Sequence, residues 1–369
     1  MGFSFLYCLK TEKHVIIIKT NIYFGNEEIR SLEKILSIIV PCYNSQDYLE
    51  KCVKSLVAIK SDVEILLIDD GSKDSTPQMI DQFAKQYPDL IIPIHQKNAG
   101  HGGALNTGFD HASGDYIKVV DSDDWVDLTA YHKIVDFLKG LKAKKQTVDL
   151  LISNYVYDKV GAKHKKVIHF PHLPKKKFFG WDDVKLYLGQ YLMMHSLIYR
   201  REVITQRAHL RLPEHVSYDD NLYVFEPLQF VRKMYYLDVD FYHYFIGRED
   251  QSVNESVMLK KIDQQLLINK RMIKFYSEHI DSETSLGKYM KFYLEIITAI
   301  SSIILIRGEQ AEYLDKKDEL WNYLKIKSPK VYKSLRKRPL GLCMHLPGKV
   351  GRKAASGLYG IARLIYGFN

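Results

Sequence analysis

The first half of the chain alternates short, fully apolar runs with amphipathic segments. Apolar, largely β-branched runs lie at 36–40, 63–68, 90–94 and 116–120. Between them, 47–59, 74–87 and 104–112 carry apolar residues at helical spacing. Fully apolar runs of this length are typical of parallel strands buried on both faces. The pattern therefore predicts βαβ units and an α/β fold with a mostly parallel sheet and helices on both faces.

The second half is less regular. Strand-like segments at 149–157 and 233–245 are followed by helical patterns over 255–327. We therefore expect an N-terminal extension (1–34), an α/β domain (35–250, divided near 125), a helical region (251–327) and a tail (328–369). The extension is interpreted in two ways, as an added edge strand or as an upstream reading of the start codon.

Charge separates the tail from the body. The 369 residues include 53 Lys and Arg against 44 Asp and Glu. The tail carries nine basic and no acidic residues, so the rest of the chain is balanced. Ala354, Leu358, Ile361 and Ile365 share one helical face there, which is typical of a helix lying on an anionic membrane surface. The alternative is a solvated helix packed on the body, and nucleic-acid binding is the weaker alternative because no stacking pattern of aromatics accompanies the charge.

Several other features limit the class of protein. The four cysteines lack CxxC spacing, and the N-terminus lacks the layout of a signal peptide, so we expect a reduced, cytoplasmic protein. The longest uncharged apolar stretch, 296–306, has eleven residues, whereas a bilayer needs about 20. We therefore expect peripheral contact with the inner face of a membrane rather than a membrane span.

Three strand ends carry polar groups, and in an open α/β sheet ligands bind at that edge. The groups are Pro41-Cys42-Tyr43-Asn44, Asp69-Asp70 and Asp121-Ser122-Asp123. Concentrated carboxylates are unfavourable unless a cation or a ligand rich in donors joins them. Asp121 and Asp123 alternate in a way that suits Mg²⁺ or Mn²⁺, which prefer oxygen ligands.

The same residues resemble glycosyltransferase family 2. The resemblance covers about 36–125, from Leu36–Asn44 through Ile68–Thr76 and Asn98–Gly108 to Val120–Asp124. It implies a GT-A fold, which is Rossmann-like, and transfer of a sugar from a nucleotide-diphosphate sugar with inversion. Uridine as the nucleoside is likewise an expectation from the family.

The resemblance also implies roles for individual residues. Asp123 would hold the metal with Asp121, and Asp220 of the pair Asp219-Asp220 would be the catalytic base. A loose alignment beyond the pair assigns diphosphate contact to Arg248. The remaining implied nucleotide-sugar contacts are Pro41, Tyr43, Asn44, Asp47, Asp69, Asp70, Lys97, Asn98, Gly100, His101, Asp121 and Ser122.

Other interpretations stay open at this point. Asp219-Asp220 could be a helix cap with a first-turn acid, and His101 could contact phosphate or cap the next helix. A sugar nucleotidyltransferase would carry a basic glycine-rich loop after the first strand, where Pro41–Asn44 stands instead. A catalytically inactive subunit that binds nucleotide sugar or lipid is the alternative outside the enzymes. The expected acceptor is a glycan, a teichoic acid or a lipid-linked sugar of a bacterial surface polymer.

Overall fold

A ten-stranded mixed sheet lies at the centre of the protein. The computed structural model describes residues 3–10, 15–22, 34–159, 165–185, 191–247 and 254–366. Two further strands, β1 and β2, pair with each other and neither joins this sheet. In chain order the strands are β1 (Phe3–Lys10), β2 (Val15–Ile22), β3 (Leu36–Cys42), β4 (Val63–Asp69), β5 (Ile91–His95), β6 (Tyr116–Val119), β7 (Trp125–Val126), β8 (Leu150–Lys159), β9 (Lys166–Ile168), β10 (Phe178–Phe179), β11 (Leu197–Arg200) and β12 (Met234–Ile246).

Helices follow most of the early strands, and the C-terminal part of the described chain is helical. The α-helices are α1 (Leu49–Leu56), α2 (Thr76–Gln86), α3 (Gly100–His111), α4 (Leu128–Ala143), α5 (Asp220–Phe225), α6 (Glu255–Lys260), α7 (Ile262–His279), α8 (Ser285–Arg307), α9 (Ala311–Lys327), α10 (Pro329–Lys337), α11 (Pro339–Cys343) and α12 (Gly348–Tyr366). The α/β class and the helical C-terminal region expected from the sequence are confirmed.

The parallel part of the sheet has the order β5-β4-β3-β6. Every residue of β3, β4 and β6 is buried, as expected for strands covered on both faces. Because these strands run the same way, their carboxyl ends meet at one edge of the sheet. That edge holds the three polar strand ends identified in the sequence.

The second half departs from a purely parallel arrangement. β11 lies between β6 and β8 and runs antiparallel to both, while β12 is parallel to β8 and also pairs with β7. The long strand β12 thereby brings residues near 242–245 beside the turn that follows β6. The order of these strands does not follow the order of the sequence, which is why periodicity alone did not predict it.

α3 begins earlier than the expected position near Ala104. It starts at Gly100, so the glycine run forms its first turn. The Asp70 carboxylate accepts hydrogen bonds from Ala99 N and Gly100 N, both at 2.8 Å. The Asp70 carboxylate, which follows β4, therefore satisfies amides at the start of the helix. As a result, a helix begins in a glycine-rich segment where composition predicts a loop.

The C-terminal helices pack on the sheet domain. One continuous cluster of buried apolar side chains runs from Ile35 to Ala355. α8 is long and apolar enough to cross a membrane by length and composition, but 78% of its most apolar window is buried inside the protein. Its environment is that of a core helix.

α12 packs on the body through one side and exposes another. Ala355 is buried, whereas Val350, Leu358 and Ile361 are 83%, 54% and 55% exposed. Arg352 is half-buried. The exposed side of the helix therefore carries apolar side chains, and the side chain of Ile365 lies outside the described ones.

Candidate active site

Hydrogen bonds join the three polar strand ends into one surface. Ser45 Oγ, after β3, lies 2.7 Å from Ser122 Oγ, after β6. Ser45 N donates to Thr76 Oγ1 at 2.7 Å, and Lys73 N donates to Asn44 Oδ1 at 2.8 Å. The loops after β3, β4 and β6 are thus fixed relative to one another, as a preorganised ligand site requires.

Asp69 and Asp70 are buried at 4% and 2% exposure. Asp70 accepts four hydrogen bonds, of which two come from the start of α3 and two from Gln96 Nε2 (2.7 Å) and Asn98 Nδ2 (3.0 Å). Asp69 accepts from Ser72 N and lies 3.2 Å from His95 Nδ1. Both carboxylates therefore hold the surrounding loops, and the expectation that they contact the nucleotide sugar stays a prediction.

A buried tyrosine organises the turn after β6. Tyr242 on β12 donates its hydroxyl hydrogen to Asp124 Oδ2 at 2.5 Å and accepts from Asp121 N at 3.1 Å. Phe245 N donates to the other oxygen of Asp124 at 2.7 Å. With both its oxygens bonded, Asp124 fixes the turn on which Asp121 and Asp123 lie half-buried.

Asp121, Asp124 and His195 form a group that could hold a metal ion, with candidate ligand atoms within 4.8 Å of one another. His195 Nδ1 is buried without a hydrogen-bond partner in the described chain. Burial lowers the pKa of His195 to about 4, so its ring is neutral at pH 7 and able to bind a metal. Carboxylates suit Mg²⁺ or Mn²⁺, and an imidazole favours a transition metal over Mg²⁺. Asp123, expected as a ligand beside Asp121, is not part of this group.

His101 connects this turn to the carboxylate pair of the second half. Its Nδ1 lies 2.9 Å from Asp219 Oδ2, and its Nε2 lies 3.3 Å from Asp121 Oδ1. Burial would lower the pKa of His101, but the carboxylates of Asp219 and Asp121 outweigh it and hold that pKa well above its usual range. Carboxylates only accept, so an imidazolium that donates from both nitrogens matches this arrangement.

A capping role explains where the Asp219-Asp220 pair lies in the chain, but not the contacts of its side chains. Asp219 is the N-cap residue of α5, but its side chain accepts no capping hydrogen bond and pairs with His101 instead. Burial, reinforced by the negative charge of Asp219, raises the pKa of the Asp220 carboxyl to about 7. A half-buried carboxylate with this pKa can take a proton from a hydroxyl near neutral pH.

The other expected site residues differ in position. Pro41 is buried within β3, whereas Tyr43, Asn44, Asp47 and Lys97 are exposed around the same edge. Asn98 donates to Asp70, and Gly100 begins α3. Arg248 lies outside the described residues. The structure therefore brings the strand-end residues, His101 and the pair Asp219-Asp220 together in one region.

Sequence reasoning did not find His195, Tyr242 or the scaffold role of Asp124. Asp124 was visible in the motif, but nothing in the sequence assigned its oxygens to partners 118 and 121 residues away. A histidine and a tyrosine inside apolar segments look like core residues until the fold places them beside the acidic turn.

This fold is that of a GT-A glycosyltransferase. Residues 37–207 match the family model described as Glycosyl transferase family 2. Residues 37–207 therefore form a glycosyltransferase family 2 domain.

Relatives and solved structures agree with the class. The chain is 27% identical to the putative glycosyltransferase EpsH of Bacillus subtilis over 73% of its own length and 76% of that protein. It is 25% identical to the minor teichoic acid biosynthesis protein GgaA of B. subtilis, over 70% of this chain and 57% of that protein. The chain spans only part of the length of several curated relatives, and in one of them the match covers 16% of that protein. The chain also resembles S. aureus TarS 1-349 in complex with UDP-GlcNAc, with a TM-score of 0.64 and 17% identity over 89% of this chain and 92% of that one.

Proposed function

We propose that the protein is an inverting glycosyltransferase that moves a sugar from a UDP-sugar to a hydroxyl group of a bacterial surface polymer. One observation carries the proposal. Asp220, whose carboxyl pKa is raised to about 7, follows Asp219, and His101 bonds Asp219 to the acidic turn after β6. A base is thereby held at the edge of the sheet where the donor would bind.

Asp220 would act as the general base. An acceptor hydroxyl is a poor nucleophile near neutral pH, and a carboxylate that removes its proton contributes about 10²–10⁴-fold in rate. A single displacement inverts the configuration and needs one base. The raised pKa of Asp220 suits this role because a stronger base removes the proton more readily.

The donor would lie across the strand ends. Tyr43, Asn44 and Asp47 stand exposed where the nucleoside is expected, and Lys97 offers positive charge beside the start of α3. Asp121 and Asp123 would hold Mn²⁺ or Mg²⁺, with His195 as a further candidate ligand. When bound, such an ion neutralises charge on the departing diphosphate.

The acceptor class rests on the relatives. A teichoic acid biosynthesis protein is among them, and the TarS structure was solved with UDP-GlcNAc. We therefore propose a glycan, a teichoic acid or a lipid-linked sugar as acceptor, with a hexosyl or N-acetylhexosaminyl group transferred.

The tail supports a position at the cytoplasmic face of the membrane. Val350, Leu358 and Ile361 are exposed on α12, and the tail has no acidic residue. Lys349 and Lys353 are exposed beside them. Apolar side chains with basic neighbours favour an anionic lipid surface by about 1 kcal/mol for each basic residue close to it. A second copy of this tail would meet like charge, so we propose lipid as the partner.

Calorimetry of UDP binding with and without Mn²⁺ tests the donor site. We expect Mn²⁺-dependent binding by the wild type and by the control Asp315→Ala, which changes an exposed carboxylate on α9, but not by Asp123→Ala. If UDP does not bind in either condition, the donor assignment is wrong, and GDP and dTDP are the next probes.

Measuring the rate of UDP release tests the assignment of Asp220 as the general base. Release of UDP from UDP-GlcNAc or UDP-glucose is expected to fall about 10²–10⁴-fold in Asp220→Asn while UDP still binds. If Asp123→Ala and Asp220→Asn both keep wild-type function, the inactive binding subunit is the better interpretation.

A further inference from the structure

The contact of His101 with two carboxylates joins segments that are far apart in the sequence. Asp121 lies after β6 in the first half, and Asp219 precedes α5 in the second half. Their bonds to His101 span 20 and 118 residues. The His101 ring is about one-third exposed, whereas Asp219 is almost fully buried. The ring thus lies at the surface of the site and the carboxylate that it bonds lies behind it.

The backbone around His101 is shaped for this contact. A Cβ on Gly102 would lie 2.5 Å from Pro213 O and 3.2 Å from Asp219 Oδ2. Gly100 has a φ of +78°, and His215 N donates to Ala99 O at 2.8 Å. Asp70 fixes the other side of the same turn through Ala99 N and Gly100 N. The glycines therefore allow the start of α3 to lie directly against the segment that carries Asp219.

We propose that His101 is a positioning residue, which holds the Asp219-Asp220 pair against the donor edge of the sheet. It acts through Asp219, and Asp220 is the group that meets the acceptor. The inference rests on the proposed function, because it assigns to His101 the placement of that base. The expectation that His101 contacts phosphate stays a prediction.

The geometry separates the effect on turnover from the effect on donor binding. The loops around the expected nucleoside site are fixed by Ser45, Asn44 and Asp70, none of which depends on His101. His101 also bonds Asp121, but Tyr242 fixes the turn that carries Asp121 by accepting from its backbone amide. The placement of Asp219 does depend on it, because among the described residues His101 makes the one side-chain hydrogen bond of Asp219. Loss of the imidazole should therefore lower kcat while the affinity for UDP is retained.

Three variants test this in the full chain with Mn²⁺, with UDP-GlcNAc as donor and water as acceptor. His101→Leu removes both hydrogen bonds, and we expect kcat to fall about 10²-fold, as for a misplaced catalytic group. His101→Gln keeps an amide donor and should retain more of kcat. The control His111→Gln alters an exposed histidine at the other end of α3, whose Nδ1 lies 2.8 Å from Thr107 O. It should leave kcat within about twofold.

A double-variant cycle distinguishes positioning from a general structural role. If His101 acts through Asp219, then His101→Leu combined with Asp219→Asn should be no slower than the slower single variant. The inference would be overturned if the losses of kcat in the two single variants multiplied in the double variant. A loss of UDP affinity that parallels the loss of kcat would also overturn it. So would wild-type kcat in His101→Leu while Asp220→Asn is inactive. If Asp220→Asn is itself fully active, the proposed function is the part that fails.

Discussion

Replacing Asp220 with asparagine should stabilise the folded protein while it removes transfer. Burial and the charge of Asp219 raise the pKa of this carboxyl from 3.8 to about 7. The folded state therefore binds the proton more tightly than the unfolded chain does. Ionising Asp220 at neutral pH destabilises the fold, and the uncharged amide removes that cost.

The size of the gain in unfolding free energy follows from the pKa shift of Asp220. About three pKa units correspond to about 4 kcal/mol, since each unit is about 1.36 kcal/mol. Asp220 is half-buried and solvent screens part of this energy, so we expect the gain in unfolding free energy to be about 1–2 kcal/mol.

The gain in unfolding free energy from Asp220→Asn should increase as the pH rises. The destabilisation by Asp220 is absent below pH 4, grows as pH rises through the window from 4 to 7, and is complete above 7. Urea unfolding of wild type and Asp220→Asn at pH 5, 6, 7 and 8, in EDTA, measures it. A difference in unfolding free energy that is the same at every pH would refute the reasoning. Asp315→Asn is the matched control, and kcat of the wild type should rise over the window in which its stability falls.

Three further predictions concern the loop, the glycine run and the tail. Asp70→Asn turns an amide toward two of the four donors that the carboxylate accepts, and unfolding in urea should show a loss of about 2–4 kcal/mol. Gly102→Ala should lower kcat for UDP release at least tenfold, because its Cβ meets Pro213 O, whereas Gly357→Ala, with nothing within 4 Å, should leave kcat unchanged. Leu358→Glu should weaken sedimentation with phosphatidylglycerol vesicles. The control Leu267→Glu, at a similarly exposed leucine on α7, should not; equal binding by both variants would contradict lipid contact through α12.

The parallel half of the sheet was predictable because its signals are local. β3, β4 and β6 are each a short apolar run followed by polar residues, and both features follow from burial on two faces and an open carboxyl edge. The family resemblance also placed Asp219-Asp220 in the site, although their distance along the chain carries no such information.

The contacts that hold the site together could not be predicted in the same way. Tyr242 reaches the turn after β6 because β12 pairs with β7 and β8, and this pairing depends on strand order rather than on periodicity. α3 begins at Gly100 because an aspartate from another strand end accepts hydrogen bonds from its first amides. In both cases the deciding partner is remote in sequence.

The glycine run illustrates how the same residues can satisfy two physical demands. Glycines near a strand end favour close approach of a ligand phosphate, and the family resemblance implied nucleotide-sugar contact at Gly100. Here a Cβ on Gly100 would lie 2.8 Å from His215 N, and one on Gly102 would lie 2.5 Å from Pro213 O, so the chain's own backbone already requires glycine at both positions. It follows that glycine here is no evidence by itself for phosphate contact. That contact needs a test on Lys97, whose exposed ammonium group lies outside this packing. Lys97→Ala should weaken UDP binding and leave the folding free energy unchanged, whereas Gly100→Ala should disturb folding first.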